Sequence, residues 1–190
     1  MKDTASLGLG LSLMLLAGCA VPRAPAAPPA PASLAGGLAR DMAAADAAFE
    51  ARDTDALAKA LHRIDRRNPR AIDDQAADPV ARWRSAVPDI DPPVRGRALG
   101  PGYVRGTLAP GAARSLDQLF LSGEAATVAA TSRPQKNLRL KIFDGAGQVV
   151  CDRSPAHVGD CRFTPVFTQR YRIELVNGGG GMAQYYLVVD

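Results

Sequence analysis

The stretch Asn137-Leu138-Arg139-Leu140-Lys141-Ile142-Phe143-Asp144 decides the fold. Leu138, Leu140 and Ile142 fall on one side of an extended chain, and Arg139 and Lys141 on the other, because successive strand side chains point to opposite faces. A second run, Arg170-Tyr171-Arg172-Ile173-Glu174-Leu175, repeats the pattern with Tyr171, Ile173 and Leu175 set against Arg170, Arg172 and Glu174. Alternation this regular predicts strands with one buried and one wet face, as in antiparallel sheets.

Outward from these two runs, the period of two holds from residue 102 to the end. Strands are predicted over residues 103–109, 114–122, 125–132, 137–144, 148–152, 161–163, 169–177 and 182–190. Turn chemistry separates them at Ala109-Pro110-Gly111, at Asp144-Gly145-Ala146-Gly147 and from Gly178 to Gly181, where Gly and Pro supply the required backbone angles. Many short strands at even spacing predict a mainly β chain, an antiparallel jelly-roll-like β-sandwich. Tyr185 and Tyr186 are neighbours and must point to opposite sheet faces. One is expected in the core and the other at the surface.

The residues Gly106-Thr107-Leu108 with Gly111, the run from Asn137 to Asp144 with Gly147, Tyr171 through Asn177, and Tyr185-Tyr186-Leu187-Val188-Val189 together resemble the bacterial pre-peptidase C-terminal domain. That family folds as a small jelly-roll-like sandwich, and the resemblance covers residues 102–190. It implies a fold and an accessory role beside a peptidase. Here the preceding segment is helical rather than catalytic.

Residues 33–70 are predicted to form a helical hairpin. Leu38, Met42, Ala45 and Phe49 recur at spacings of four and three, which lines one helix face. Asp53 and Thr54 then offer capping oxygens, and Leu57, Leu61 and Ile64 make a second stripe. Asn68-Pro69 should end it. The phrase from Ala48 to Leu57 is similar to one tetratricopeptide-like hairpin, but a solenoid needs further copies and none follows. The simpler reading is an alanine-rich helix pair packed on its neighbour. Residues 71–101 form a connector carrying Pro79, Pro88, Pro92 and Pro93. A short helix over 79–86 is expected inside it, capped by Asp78 with Pro79 first, and its Trp83 should be buried against the sheet domain.

The leader has its own chemistry. An apolar run from Leu7 to Leu16 ends in Leu16-Ala17-Gly18-Cys19. It matches a signal h-region in length and is too short to span a bilayer core of ~30 Å. The arrangement resembles the lipobox of bacterial lipoproteins. That resemblance implies removal of residues 1–18 and acylation of Cys19. With Ala20 rather than an aspartate following, it also implies anchoring to the periplasmic side of the outer membrane. Cleavage as an ordinary secretory signal near Cys19 or Ala24, giving a soluble periplasmic protein, is the alternative. Residues 19–32 would then be a tether, since five prolines between Pro22 and Pro31 hold the stretch 21–32 extended, up to about 35 Å at ~3.1 Å per residue.

The remaining cysteines, Cys151 and Cys161, suit a disulfide in an oxidising compartment. A zinc site needs four closely spaced ligands, and only His157 lies between them. Asp144, with Asp152 and Asp160, is the one weak candidate for a metal. Calcium needs six to eight oxygens, so a turn aspartate capping its own backbone is the stronger expectation. For nucleophilic catalysis there is no Gly-x-Ser-x-Gly elbow, and His62, His157 and Ser154 form no recognisable triad. No phosphate loop or dinucleotide fingerprint points to a cofactor. The net charge of +4 is spread without a block of five like charges, and aromatic residues are few, so nucleic acid is not an expected partner.

These readings point to a non-enzymatic envelope lipoprotein whose sandwich binds another protein. A glycan- or peptidoglycan-binding module, with a cell-wall partner, is one alternative. A soluble periplasmic accessory domain of a secreted hydrolase system is another.

Overall fold

The computed structural model describes residues 33–72, 78–87, 100–135 and 137–190; the signal segment, Cys19 and the tether lie outside them. Ser33 accepts a hydrogen bond from Gly36 N at 2.9 Å and opens helix α1, Leu34–Ala51. The helix stops at Arg52, whose left-handed conformation (φ 57°) turns its N–H back to Phe49 O at 3.2 Å. Asp53 then caps α2, Thr54–Asp65, by accepting from Ala56 N at 2.9 Å. The hairpin therefore breaks where the capping residues predict, because each cap satisfies backbone groups that a helix end would otherwise leave without partners.

After α2 come a two-residue strand, β1 (Arg70–Ala71), and a short helix, α3 (Pro79–Ser85). Asp78 caps α3 through Val80 N, and Pro79 occupies its first turn. Eight further strands follow: β2 (Gly102–Leu108), β3 (Ala113–Phe120), β4 (Ala126–Arg133), β5 (Leu138–Phe143), β6 (Val149–Arg153), β7 (Cys161–Phe163), β8 (Gln169–Asn177) and β9 (Ala183–Val189). Each lies within two residues of its predicted span. β1 was not predicted; its two residues pair parallel to Gly102 and Tyr103 of β2.

The strands form two sheets, one in the order β1-β2-β9-β4-β7 and the other β3-β8-β5-β6. Apart from β1 with β2, every pairing is antiparallel. The fold is thus a β-sandwich preceded by a short helical part, as expected. Between the sheets lie Val128, Leu138, Leu140, Ile142, Ile173, Leu175 and Leu187, with an aromatic trio of Phe120, Phe163 and Tyr171 at 5.0–5.5 Å between ring centroids. Tyr185 lies over Gly106, its cross-strand partner. A Cβ at Gly106 would meet that ring at 2.5–2.7 Å, so only glycine fits there.

A second core sits on the other face of the five-stranded sheet. Leu38, Met42, Leu57, Leu61, Ile64 and Trp83 of the three helices pack against Tyr103, Ala129, Tyr186 and Val188. Trp83 is buried there, as expected. Tyr186 differs from expectation: it is buried beneath α1, and Tyr185 is buried too. The molecule has three layers, helices on sheet on sheet. β4 and β9 are buried on both faces, which explains why Ala129-Ala130 and Leu187-Val188-Val189 read as continuous apolar runs.

Candidate interaction surface

All the predicted site residues except Cys19 lie among the described residues. Cys151 and Cys161 form a disulfide with Cα atoms 5.8 Å apart. The bond joins β6 and β7, the edge strands on one open side of the sandwich, so it closes that side. Asp144 accepts hydrogen bonds at Oδ1 from Ala146 N (3.0 Å) and Gln148 N (2.8 Å). Its carboxylate is occupied in shaping its own turn. Asp152 is clasped by Arg139, which donates to both carboxylate oxygens across the β5–β6 pair. That bond holds the Asp152 carboxylate below the usual carboxylate range. Asp160 lies against the first turn of α1, where a Cβ on Gly36 would meet its Oδ1 at 2.6 Å. The three aspartates therefore serve three separate structural contacts. Among the described residues no group of three or more His, Cys, Asp or Glu is placed to hold a metal. His62, Ser154 and His157 are all exposed, the first on α2 and the other two in and around the short 3-10 helix Ala156–Val158. A triad needs a base held against its nucleophile by a third group, and these side chains do not supply one.

Sequence reasoning missed a buried charge cluster between α1 and the sheet beneath it. Asp46 accepts from Arg105 of β2 at 3.2 Å and from Arg133 of β4 at 3.0 Å. The hydroxyl of Tyr186 is hydrogen-bonded to Asp46 and Arg105, and Gln184 donates to it at 3.0 Å. Burial, then the bond to Asp46, push the Tyr186 hydroxyl far above the usual phenol range. Tyr103 behaves likewise, through burial first and its hydrogen bond to Asp78 second. Both sites are closed by the helices, and their polar groups face one another. They dock the helical layer onto the sheet.

An open pocket of about 560 Å³ lies between the α1–α2 turn and α3, lined by Phe49, Leu57, Asp53, Arg82 and Ala86 among others. The Arg82 guanidinium already covers the Phe49 ring at 4.7 Å. That stacking takes the aromatic face a ligand would use.

One feature that the fold does not consume is at the far end of the other sheet. Leu119, at 47% exposure, ends the outer face of β3, and Leu121 follows at 46%. Beside them runs the β7–β8 connection, held by three bonds: Ser122 Oγ to Val166 O at 2.6 Å, Ser122 N to Thr168 Oγ1 at 3.0 Å, and Gly123 N to Pro165 O at 2.9 Å. These bonds set Val166 (74% exposed) and Phe167 (71%) next to Leu121. The one signal in the sequence was the apolar pair Val166-Phe167 lying in a turn, where no strand face could bury it.

No family model and no curated protein matches the chain. Among solved structures, the chain is similar to PliG of Aeromonas hydrophila, a periplasmic lysozyme inhibitor of g-type lysozyme, at 13% identity and a TM-score of 0.41, covering 47% of this chain and 84% of that one. It is similar to the pre-peptidase C-terminal domain of collagenase from Bacillus anthracis, at 10% identity and a TM-score of 0.39, covering 46% and 87%. A PliG mutant from Escherichia coli matches at 7% identity and a TM-score of 0.36, covering 64% and 96%. Likeness at this level transfers neither ligand nor activity.

Proposed function

We propose that this chain is a non-enzymatic, protein-binding domain facing the periplasm and held to the outer membrane by lipid on Cys19. The observation that carries the binding role is the exposed apolar cluster of Leu119, Leu121, Val166 and Phe167. Leaving a large apolar side chain in water forgoes on the order of 1.5–3 kcal/mol relative to burying it. Large apolar side chains left exposed on segments bonded to one another mark interaction sites. The rest of the molecule supports the reading. The carboxylates near the turns serve the fold, and the Cys151–Cys161 bond suits an oxidising compartment. Trp83 is buried, so the single tryptophan offers no platform to a sugar ring.

A photoreactive residue in place of Phe167, in the cells that make the protein, tests the binding role. One dominant protein adduct is expected there. Its absence, with the protein present and folded, overturns the reading. The anchor is tested by the intact mass of membrane-extracted protein, which should show loss of residues 1–18 and added acyl chains on Cys19. A cleaved but unacylated mass would remove the anchor and leave a soluble periplasmic domain.

A further inference from the structure

We infer that the partner binds by strand addition: β3 takes an extended segment of the partner protein as a fifth strand of the four-stranded sheet. This rests on the protein-binding reading above and specifies its surface.

The two sheets end in β1, β7, β3 and β6 among the described residues. A free edge presents unpaired N–H and C=O groups that template pairing with another chain, and folds blunt such edges by shortening, bulging or covering them. Here β1 has two residues and β7 has three. β6 carries a register shift opposite Ile142 and Phe143 and is tied to β7 by the disulfide. Among the described residues β3 has none of these devices. It runs eight residues in unbroken register with β8, and among the described residues it pairs with no other strand. Ala113, Arg114, Ser115, Asp117 and Leu119 are exposed along it.

The direction of its backbone groups follows from the ladder. Asn177 N donates to Ala112 O at 2.9 Å. Hydrogen-bonded and non-hydrogen-bonded pairs alternate along an antiparallel ladder. Arg114, Leu116, Gln118 and Phe120 therefore bond toward β8, and Ala113, Ser115, Asp117 and Leu119 turn their amides to the open edge, where the Leu119 carbonyl already accepts one bond from Gln118 Nε2 at 3.1 Å and keeps its N–H for a partner. Only an extended backbone satisfies four such residues in series.

The side chains define the segment. Leu116 and Phe120 pack on the core side, so Ser115, Asp117 and Leu119 line the outer face. Arg172, cross-strand from Asp117, is stacked on the Phe143 ring at 4.6 Å. Asp117 thus offers its charge to the incoming strand, while Leu119 continues into the cluster of Leu121, Val166 and Phe167. Directly opposed side chains lie about 4.5–5.5 Å apart. The segment that fits carries a Lys or Arg opposite Asp117 and an apolar residue two positions away, opposite Leu119.

A library of random ten-residue peptides selected against the folded protein tests this. Enrichment of a basic residue two positions from an apolar one is expected. The best peptide should slow amide exchange at Ser115, Asp117 and Leu119 at least tenfold. Ser115→Pro deletes an edge-facing N–H without touching the β8 ladder, and should weaken binding at least tenfold with an unchanged melting temperature. Should that variant melt early, single N-methylation of the peptide at alternate residues takes its place, with the same tenfold loss expected. No enriched peptide, protection at another surface, or binding indifferent to Ser115→Pro and to N-methylation overturns strand addition. So does a concentration-dependent dimer that Ser115→Pro abolishes, since a second copy would then be the occupant. A Phe167 adduct in cells together with no peptide binding leaves the protein-binding role standing and removes this mode of it.

Discussion

Asp46 shows what a single buried charge does in this fold. It lies under α1 at 3% exposure with two arginines for partners. Removing one partner of a buried pair strands the others, at a cost of roughly 3–5 kcal/mol. Arg105 and Arg133 keep about a third of their side chains exposed, so Asp46→Ala should cost about 3 kcal/mol, the low end, read from urea unfolding. The tyrosines give a pH prediction. Tyr103 and Tyr186 have folded pKa values raised above the unfolded value of about 10. The fold thus favours their protonated forms. Their contribution is complete below about pH 10 and is lost as pH rises beyond it. Tyrosinate absorbance from these two should appear only together with loss of circular dichroism; earlier ionisation of all four tyrosines would contradict this. None of it was legible at the residue scale. Nothing local in the sequence marks Asp46, Arg105 and Arg133, because their pairing depends on partners 59 and 87 positions away in the chain.

At the scale of elements, legibility followed the locality of the cause. The break between α1 and α2 was readable because Arg52 and Asp53 make their capping bonds within a few residues. β5 and β8 were readable because their alternation is intrinsic. β1 was not, because two residues become a strand only when β2 lies beside them. The β6–β7 bond gives a prediction at this scale. Cys151→Ser should lower stability by about 2–3 kcal/mol, the chain-entropy value for a loop this short. The change should be visible as a lower urea midpoint that reductant reproduces in the wild type. α3 gives another. Trp83→Ala should cost about 3–5 kcal/mol, because Trp83 is among the largest fully buried side chains.

The whole molecule was the least legible. From β2 to β5 consecutive strands alternate between the two sheets, so neighbours in sequence are seldom neighbours in pairing. The alternation of apolar residues fixes which face is buried but not which strand lies alongside. Nor could it show that the helices cover one sheet, since β4 and β9 conceal two buried faces behind short apolar runs. A chain starting at residue 100 would leave Tyr103, Ala129 and Val188 uncovered. It should bind apolar dyes and self-associate in sedimentation more strongly than a chain that keeps its helices.

The position of β9 carries a consequence for biosynthesis. It lies between β2 and β4 at the heart of its sheet, and it supplies much of the surface on which α1 rests. Yet it is the last strand in chain order. The helices, though synthesised long before it, lack part of their docking surface, Tyr186 and Val188, until residues 183–189 emerge. Contacts of such long separation form slowly. A chain emerging from its N-terminus would therefore lack the central strand of this sheet until the end, and would complete its fold only once residues 183–189 are free to pair with β2 and β4.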